Sequence, residues 1–368
     1  NISRSSDFNN HFNCLISCLL ILNIIQSSNP MKIFLSILTA LILMKCGGPA
    51  VPNYKISTGI KGDKAKWGDT LQLKIKNNSP EKVAYFLNNT PISPNHILTN
   101  EPLGTQVVKA VITNGENTKE TETTLTLLAD APPQLYTYEI VNIFPHDQTA
   151  YTQGLEFDGE LLYESTGLNG KSSLRTVNYK TGEIIENKPL DNAYFGEGLT
   201  LLNDQIIQLT WRAQKGFVYD KATLTMQKSF PFQESKEGWG LCNDGQYLYK
   251  SDGSNRIWIL DPITYKELKS IQVMTHKSPL KNINELEWVN GKIYANTYQF
   301  NKEVSVIIDP LSGAVEGVID FSGLKEKVTQ HPQLNVLNGI AFHKARNTFF
   351  VTGKNWSSIF EVNLLPKE

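Results

Sequence analysis

The sequence predicts an all-β protein: a five-bladed β-propeller preceded by a small immunoglobulin-like β-sandwich. Three observations predict it. Between Leu135 and Leu364 a pattern recurs, with anchors at Gly154-Leu155-Glu156-Phe157, Gly198-Leu199-Thr200-Leu201, Gly240-Leu241-Cys242-Asn243, Glu285-Leu286-Glu287-Trp288 and Gly339-Ile340-Ala341-Phe342, spaced by 44, 42, 45 and 54 residues. Each anchor leads into a tight-turn signal such as Asp158-Gly159, Asp244-Gly245 or Asn290-Gly291, and then into a second apolar run. No amphipathic helical stretch of useful length interrupts the series. Four short strands per roughly 45 residues is the pattern of a propeller blade.

The ends of the repeat region account for its closure. The last repeat holds three strands, at Ile340–Phe342, Thr348–Thr352 and Ile359–Leu364, while one strand, Tyr136–Val141, precedes the first repeat unpaired. Placing that strand fourth in the last blade closes the ring and removes both open edges. Residues 135–365 therefore form the predicted propeller. Such a ring has no edge it must share, so a monomer is expected.

Residues 49–131 read as the sandwich. Leu71, Leu73 and Ile75 alternate with polar residues, as do Val83, Tyr85 and Leu87, and Leu125 and Leu127. Period-two alternation marks half-buried antiparallel strands. No polar constellation stands out in this region, and a spacer or accessory role is expected, ending at Ala131-Pro132-Pro133.

The N-terminal residues read as targeting sequence. Met31-Lys32 opens an apolar run, 33–44, of secretory-signal length and too short to span a bilayer comfortably. Cys46 follows it as in a bacterial lipoprotein cleavage site, with Lys45 in place of the usual small residue. The expectation is a lipoprotein-type signal over 31–48, lipidation at Cys46 with membrane attachment through it, and an exported protein of the periplasm or cell envelope. Residues 1–30 hold no Met and read as an upstream segment outside the mature protein.

Cys14 and Cys18 lie in that upstream segment. Cys242 is the remaining cysteine of four, so neither an intramolecular disulfide nor a zinc cluster is expected. Cys242 sits within a strand pattern and reads as a small buried apolar residue rather than a nucleophile. The formal net charge of −1 gives no electrostatic reason to expect nucleic acid or an anionic membrane surface as a partner.

Repeat position becomes spatial position in such a ring. Just before the five anchors stand Gln153, Glu197, Trp239, Asn284 and Asn338. A second set lies near the ends of the second strands: Trp211, Asp252, Tyr298 and Lys354, which follow their anchors by 13, 12, 13 and 15 residues. The first two strands of a blade are antiparallel, so both sets open at one mouth. Two carboxylates (Glu197 and, in the second set, Asp252), one ammonium, three carboxamides and several large rings converge there, which is the composition of a pocket.

The segments Tyr151-Thr152-Gln153-Gly154-Leu155, Tyr194-Phe195-Gly196-Glu197-Gly198-Leu199-Thr200, Leu209-Thr210-Trp211-Arg212, Gly238-Trp239-Gly240-Leu241, Asn284-Glu285-Leu286-Glu287 and Thr352-Gly353-Lys354-Asn355-Trp356 together resemble the plant-type glutaminyl-peptide cyclotransferases, which also occur in bacteria. The resemblance covers about 135–365. It implies a metal-independent enzyme without cofactor that converts N-terminal glutamine of peptides or proteins to pyroglutamate and ammonia. It further implies Glu197 as the acid/base carboxylate, Gln153, Asn284 and Lys354 as polar substrate-binding groups and Phe195, Trp211 and Trp239 as aromatic walls. The chemistry of the reaction adds a catalytic role for Lys354 and Asn284 as donors to the developing oxyanion, and repeat position adds Tyr298 and Asn338 to the substrate-binding residues. Tyr298, in Ala295-Asn296-Thr297-Tyr298, stands where the family often has Trp, so altered affinity or specificity is expected.

A single carboxyl can shuttle the proton if a partly dry aromatic site raises its pKa, and an ion pair with Lys354 would oppose that rise. Two other readings compete. A non-catalytic cell-surface propeller binding peptides or glycans would also use an aromatic mouth. A calcium-dependent hydrolase would need several converging carboxylates, and the innermost set offers one. His146, His276, His331 and His343 fall in apparent loops, where solvated or capping roles are expected, with no HxH or HExxH spacing. Gly196 and Gly198 lack a following helix pattern and so do not form a phosphate loop; they read as letting the backbone crowd near the axis.

Overall fold

Alternation of apolar and polar residues, punctuated by turn residues, makes strands through most of the described residues. The computed structural model describes residues 54–76 and 80–367, and within them the only helical elements are two 3-10 turns, Lys61–Asp63 and Lys325–Lys327. Cys14, Cys18, the apolar run 33–44 and Cys46 lie outside the described residues.

The N-terminal β-region holds a five-stranded sheet built on the hairpin Gly104–Asn114 and Asn117–Leu127, with Lys82–Leu87 beside it. Thr90–Ile92 and Lys64–Ala65 are its edges. The alternating run at 71–75 divides between two ladders. Thr70–Gln72 pairs with Asn95–Ile97, and Lys74–Lys76 pairs with Lys55–Ser57. Leu71, Leu73 and Ile75 are all buried, so one apolar face serves both ladders.

The larger region begins at Gln134–Pro145. Three four-stranded antiparallel sheets follow in chain order. Thr152–Asp158, Leu161–Thr166, Ser173–Asn178 and Glu183–Pro189 form the first. Gly196–Leu202, Gln205–Thr210, Lys215–Asp220 and Met226–Pro231 form the second. Leu241–Asn243, Leu248–Ser251, Arg256–Leu260 and Glu267–Gln272 form the third.

The remaining strands make one eight-stranded sheet. One half is Ile283–Val289, Lys292–Thr297, Val304–Ile308 and Val315–Asp320; the other is Leu337–His343, Thr348–Gly353 and Ser358–Pro366 completed by Gln134–Pro145. That early strand pairs antiparallel with Ser358–Pro366 from Tyr136 to Pro145 and parallel with Gly317–Ile319 from Gln134 to Tyr136. Beginning and end of the region thus share a ladder, where the sequence placed the unpaired strand.

The first strands of neighbouring sheets touch one another in cyclic order, and the last, Leu337–His343, touches Thr152–Asp158. An apolar cluster fills each wedge between sheets. Tyr163, Leu174, Leu199 and Phe217 join the first sheet to the second; Ile207, Val218, Leu241 and Leu260 join the second to the third. Tyr249, Ile257, Leu286 and Ile293 continue the series, followed by Ile307, Ile319, Val351 and Phe360. Leu155, Leu162, Ala341 and Phe350 complete it. Each fully buried side chain of this kind contributes about 1.5–3 kcal/mol.

Two expectations for single residues receive different outcomes. Cys242 is 1% exposed in the strand Leu241–Asn243, and burial pushes its thiol well above the usual range. The histidines are not all solvated. His146 is buried, with Nδ1 2.9 Å from the Trp356 carbonyl oxygen and Nε2 3.1 Å from Glu164 Oε1. His343 is the buried last residue of a strand and packs on Phe157. Loop-like flanking sequence conceals such burial, because each ring sits against the first sheet, His146 on Glu164 and His343 on Phe157.

Backbone crowding at the centre is the constraint that glycine meets. A Cβ on Gly198 would lie 2.6 Å from the Leu241 nitrogen and from the Trp239 oxygen, both in the next sheet. The Gly198 nitrogen donates to that same oxygen at 2.6 Å. We expect Gly198→Ala to lower the free energy of unfolding by about 1–3 kcal/mol through overpacking, read from urea titrations. An unchanged midpoint would contradict this close approach.

Candidate active site

The residues preceding the anchors enter the innermost strands, and those closing the second strands follow them at the same end of the ring. Together they enclose a cavity of about 190 Å³ lined by Tyr151, Gln153, Phe195, Glu197, Trp211, Trp239, Asn284, Tyr298 and Lys354. Eight of the nine lining residues were singled out from sequence as site residues. Tyr151 was not, although it belongs to a quoted motif.

Glu197 is 4% exposed. Its main chain is fixed from the preceding sheet, where the Ser165 hydroxyl donates to the Glu197 carbonyl oxygen. Among the described residues none donates a hydrogen bond to its carboxyl. Burial therefore pushes its pKa well above the ordinary carboxylate range, the Lys354 charge pulls the other way, and the Glu237 charge adds to the rise.

Lys354 is 3% exposed, with its ammonium between two rings, 4.9 Å from the Tyr151 centroid and 5.0 Å from that of Tyr298. Burial lowers its pKa to about 8, and Glu197 partly opposes that shift. The expected ion pair between the two is not formed at contact distance; they act on each other across the cavity. Burial also pushes the Tyr151 hydroxyl up to about 12, with Tyr298 and Glu197 adding to the rise.

The three carboxamides divide. Gln153 lines the cavity with Oε1 accepting from Asn338 Nδ2 at 2.9 Å. That bond fixes which end of the amide is engaged and leaves the Gln153 Nε2 donor free for a ligand. Among the described residues the Asn284 side chain has no hydrogen-bond partner, and its Oδ1 is buried. Asn338 is fully buried and does not line the cavity; its Nδ2 also donates to the Thr152 carbonyl oxygen. Its expected contact with substrate is corrected to support of Gln153.

Asp252 likewise turns away. Its carboxylate accepts from the Ser254 nitrogen and hydroxyl and from Trp258 Nε1, so it caps its own turn instead of facing the cavity.

Aromatic rings make the walls. Tyr151 meets Phe195 edge-on at 6.0 Å, Phe195 meets Trp211 at 5.5 Å, and Trp239 meets Tyr298 at 5.8 Å. Gly167 makes room for Phe195, since a Cβ there would lie 2.3 Å from the Phe195 ring.

A third set of repeat positions escaped the sequence reading. Ser165, Ser251 and Asn296 each stand eleven residues after an anchor. Ser165 reaches Glu197, Ser251 Oγ donates to the Asn284 carbonyl oxygen at 2.7 Å, and Asn296 Oδ1 accepts from the Gly339 nitrogen at 2.8 Å. Each holds the innermost strand of the next sheet at a site position. The common offset was the available signal.

Comparisons with known proteins agree on one group. A sequence profile described as glutamine cyclotransferase matches residues 107–364. The glutaminyl-peptide cyclotransferase of Arabidopsis thaliana is 40% identical over 229 residues, covering 61% of this chain and 71% of the plant protein. Among solved structures, that of Myxococcus xanthus glutaminyl cyclase matches with a TM-score of 0.59 and 33% identity, covering 64% of this chain and 100% of the other.

Lys354 should acquire amine reactivity with a midpoint near pH 8, against about 10.4 for a solvated lysine. Glu197→Gln should move that midpoint lower, because the anion favouring the ammonium is gone. Acylation of Lys354 followed by mass spectrometry across pH reads both; a midpoint above 10 would contradict the desolvated environment.

Proposed function

The chain belongs to the glutamine cyclotransferase family, and from that premise we propose that its cavity closes the N-terminal glutamine of peptides or proteins into pyroglutamate, releasing ammonia. One observation carries the assignment of roles: a buried carboxyl free of protein hydrogen bonds, Glu197, facing amide and ammonium groups with unused donor capacity inside aromatic walls.

The α-amine of the substrate attacks its own γ-carboxamide carbon. A C–N bond forms, closing a five-membered lactam, and the bond to the amide nitrogen breaks. Both reacting groups belong to one residue, so the protein's task is to hold the folded rotamer, which the rings of Phe195, Trp211 and Trp239 do by shape. Glu197 takes a proton from the attacking amine and returns one to the leaving nitrogen. Burial raises its pKa, the direction that lets one carboxyl both accept and return a proton.

As the carbonyl becomes tetrahedral its oxygen turns negative. Lys354, Asn284 and Gln153 are the donors available to it, and loss of one such donor costs about 3–4 kcal/mol in other enzymes. Lys354 serves as a cation below about pH 8, so the rate should fall as pH rises through that value. Tyr298 keeps a ring against the Lys354 ammonium where a Trp is common in the family, and this contact is the natural source of altered affinity.

The proposal extends to architecture and location. The successive four-stranded units of the larger region are read as five propeller blades, and the N-terminal β-region as an immunoglobulin-like sandwich of accessory role. The apolar run 33–44 followed by Cys46 is read as the signal of an exported envelope lipoprotein, attached to a membrane through an acylated Cys46. Labelled palmitate should enter the full chain expressed in a bacterial host and be absent from Cys46→Ala. Equal labelling of both would remove the lipoprotein reading.

Purified protein should release ammonia and form pyroglutamate from a Gln-initiated dipeptide. Glu197→Gln should lose at least about a hundredfold in kcat/KM, equivalent to about 2.7 kcal/mol, with a melting temperature within a few degrees of the parent. Equal rates for the two proteins would remove Glu197 from the chemistry.

A further inference from the structure

Glu237 does not line the cavity, and neither repeat spacing nor motif singled it out. It lies in the connection between the strands Met226–Pro231 and Leu241–Asn243, with its side chain 28% exposed. One carboxylate oxygen, Oε2, accepts from Trp211 Nε1 at 2.8 Å and from Trp239 Nε1 at 2.9 Å. The other, Oε1, accepts from Arg212 Nε at 3.1 Å, while the Arg212 guanidinium lies 3.8 Å from the Trp211 ring centroid. Burial alone would raise this carboxyl, but the donors of Trp239, Trp211 and Arg212 outweigh it and hold Glu237 below the usual range, as an anion.

An indole has one N–H donor, so the direction of that bond sets how the ring plane stands. Trp211 follows the second sheet's second strand and Trp239 precedes the third sheet's first, so their common acceptor couples walls from two sheets. The backbone beside the carboxylate is also held: the Gly238 nitrogen donates to the carbonyl oxygens of Thr210 and Trp211 at 3.2 and 3.1 Å. Beyond Trp239, Gly253 provides the space the indole occupies, since a Cβ there would lie 2.5 Å from the ring.

Around the cavity the contacts close on themselves. Tyr151, Phe195 and Trp211 succeed one another by ring contact, Glu237 joins Trp211 to Trp239, Trp239 meets Tyr298, and Lys354 lies between Tyr298 and Tyr151. One anion and one cation are thus the two non-aromatic links in a belt of five rings.

We propose that Glu237 is a positioning residue for cyclisation, one that fixes the planes of both tryptophan walls and thereby the fit of the folded glutamine. This rests on the cyclotransferase reading above. Glu237 acts at a second place as well. With Lys354 it is one of the two charged groups that bear on Glu197, and its charge favours the protonated form there.

The test compares Glu237→Leu and Glu237→Gln on a Gln-initiated dipeptide. Leu removes the shared acceptor. Gln can keep an oxygen where Oε2 stands but carries no charge. Leu should raise KM at least about tenfold with kcat within about threefold, the pattern of lost uniform binding; Gln should keep KM within about threefold of the parent. Both should displace the acid limb of the rate profile to lower pH, because both remove the anion. Tryptophan emission should change in the Leu variant and stay near the parent in the Gln variant.

A parental KM in the Leu variant, or equal rises in KM for Leu and Gln, would overturn the inference. Absence of turnover in the parent would sink the cyclotransferase reading instead. In that case indole emission still decides the role of Glu237, and unchanged emission in the Leu variant would refute it.

Discussion

Carboxylates of the innermost strands bind the backbones of neighbouring sheets, and the cavity depends on that interlock. Glu285 accepts the Leu155 nitrogen through one oxygen at 3.3 Å and the Ile340 nitrogen through the other at 2.9 Å. Glu287 accepts from the Phe342 nitrogen, and Glu156 from Thr200 and Leu201. Together with the close approach at Gly198, these bonds press the first strands so near one another that four of the five side chains preceding the anchors share a single small space. Burial pushes Glu285 and Glu287 well above the usual carboxylate range and Glu156 to about 7. A carboxyl so raised takes up a proton more readily, and its neutral form crowds beside its neighbours with less repulsion.

The same crowding separates support from chemistry at the mouth. Glu156, Glu285 and Glu287 all accept protein donors, whereas the Glu197 carboxyl meets none, so its chemistry stays available to a ligand. Lys354 is comparably uncommitted, touching ring faces and no carboxylate. These two groups face the same small, ring-walled cavity. Desolvation moves both, raising the carboxyl and lowering the ammonium.

Much of this arrangement was legible in the sequence because it follows from counting. Repeat spacing predicted which residues share a depth, antiparallel pairing predicted which end they share, and the unpaired strand at Tyr136–Val141 predicted its own partner. What counting cannot supply is the direction a side chain takes at its position. Asn338 occupies the same repeat position as Gln153 yet turns into the wall, and Asp252 occupies that of Lys354 yet caps a turn. Glu237 was invisible for another reason: it belongs to a connection outside the repeat, and its importance comes from two indoles brought to it by different sheets. In the N-terminal region the alternation at 71–75 correctly marked a buried face, but pattern alone could not say that two partners divide it.

The account turns on one small ligand meeting Gln153, Glu197, Asn284 and Lys354 together. The direct measurement is a crystal structure of Glu197→Gln, slowed but folded, with a Gln-initiated dipeptide bound. It should place the substrate's α-amine within about 3 Å of residue 197 and its γ-carboxamide oxygen within hydrogen-bond distance, about 2.7–3.2 Å, of Lys354 or Asn284. A dipeptide seated elsewhere, or held with its amine beyond reach of residue 197, would contradict it.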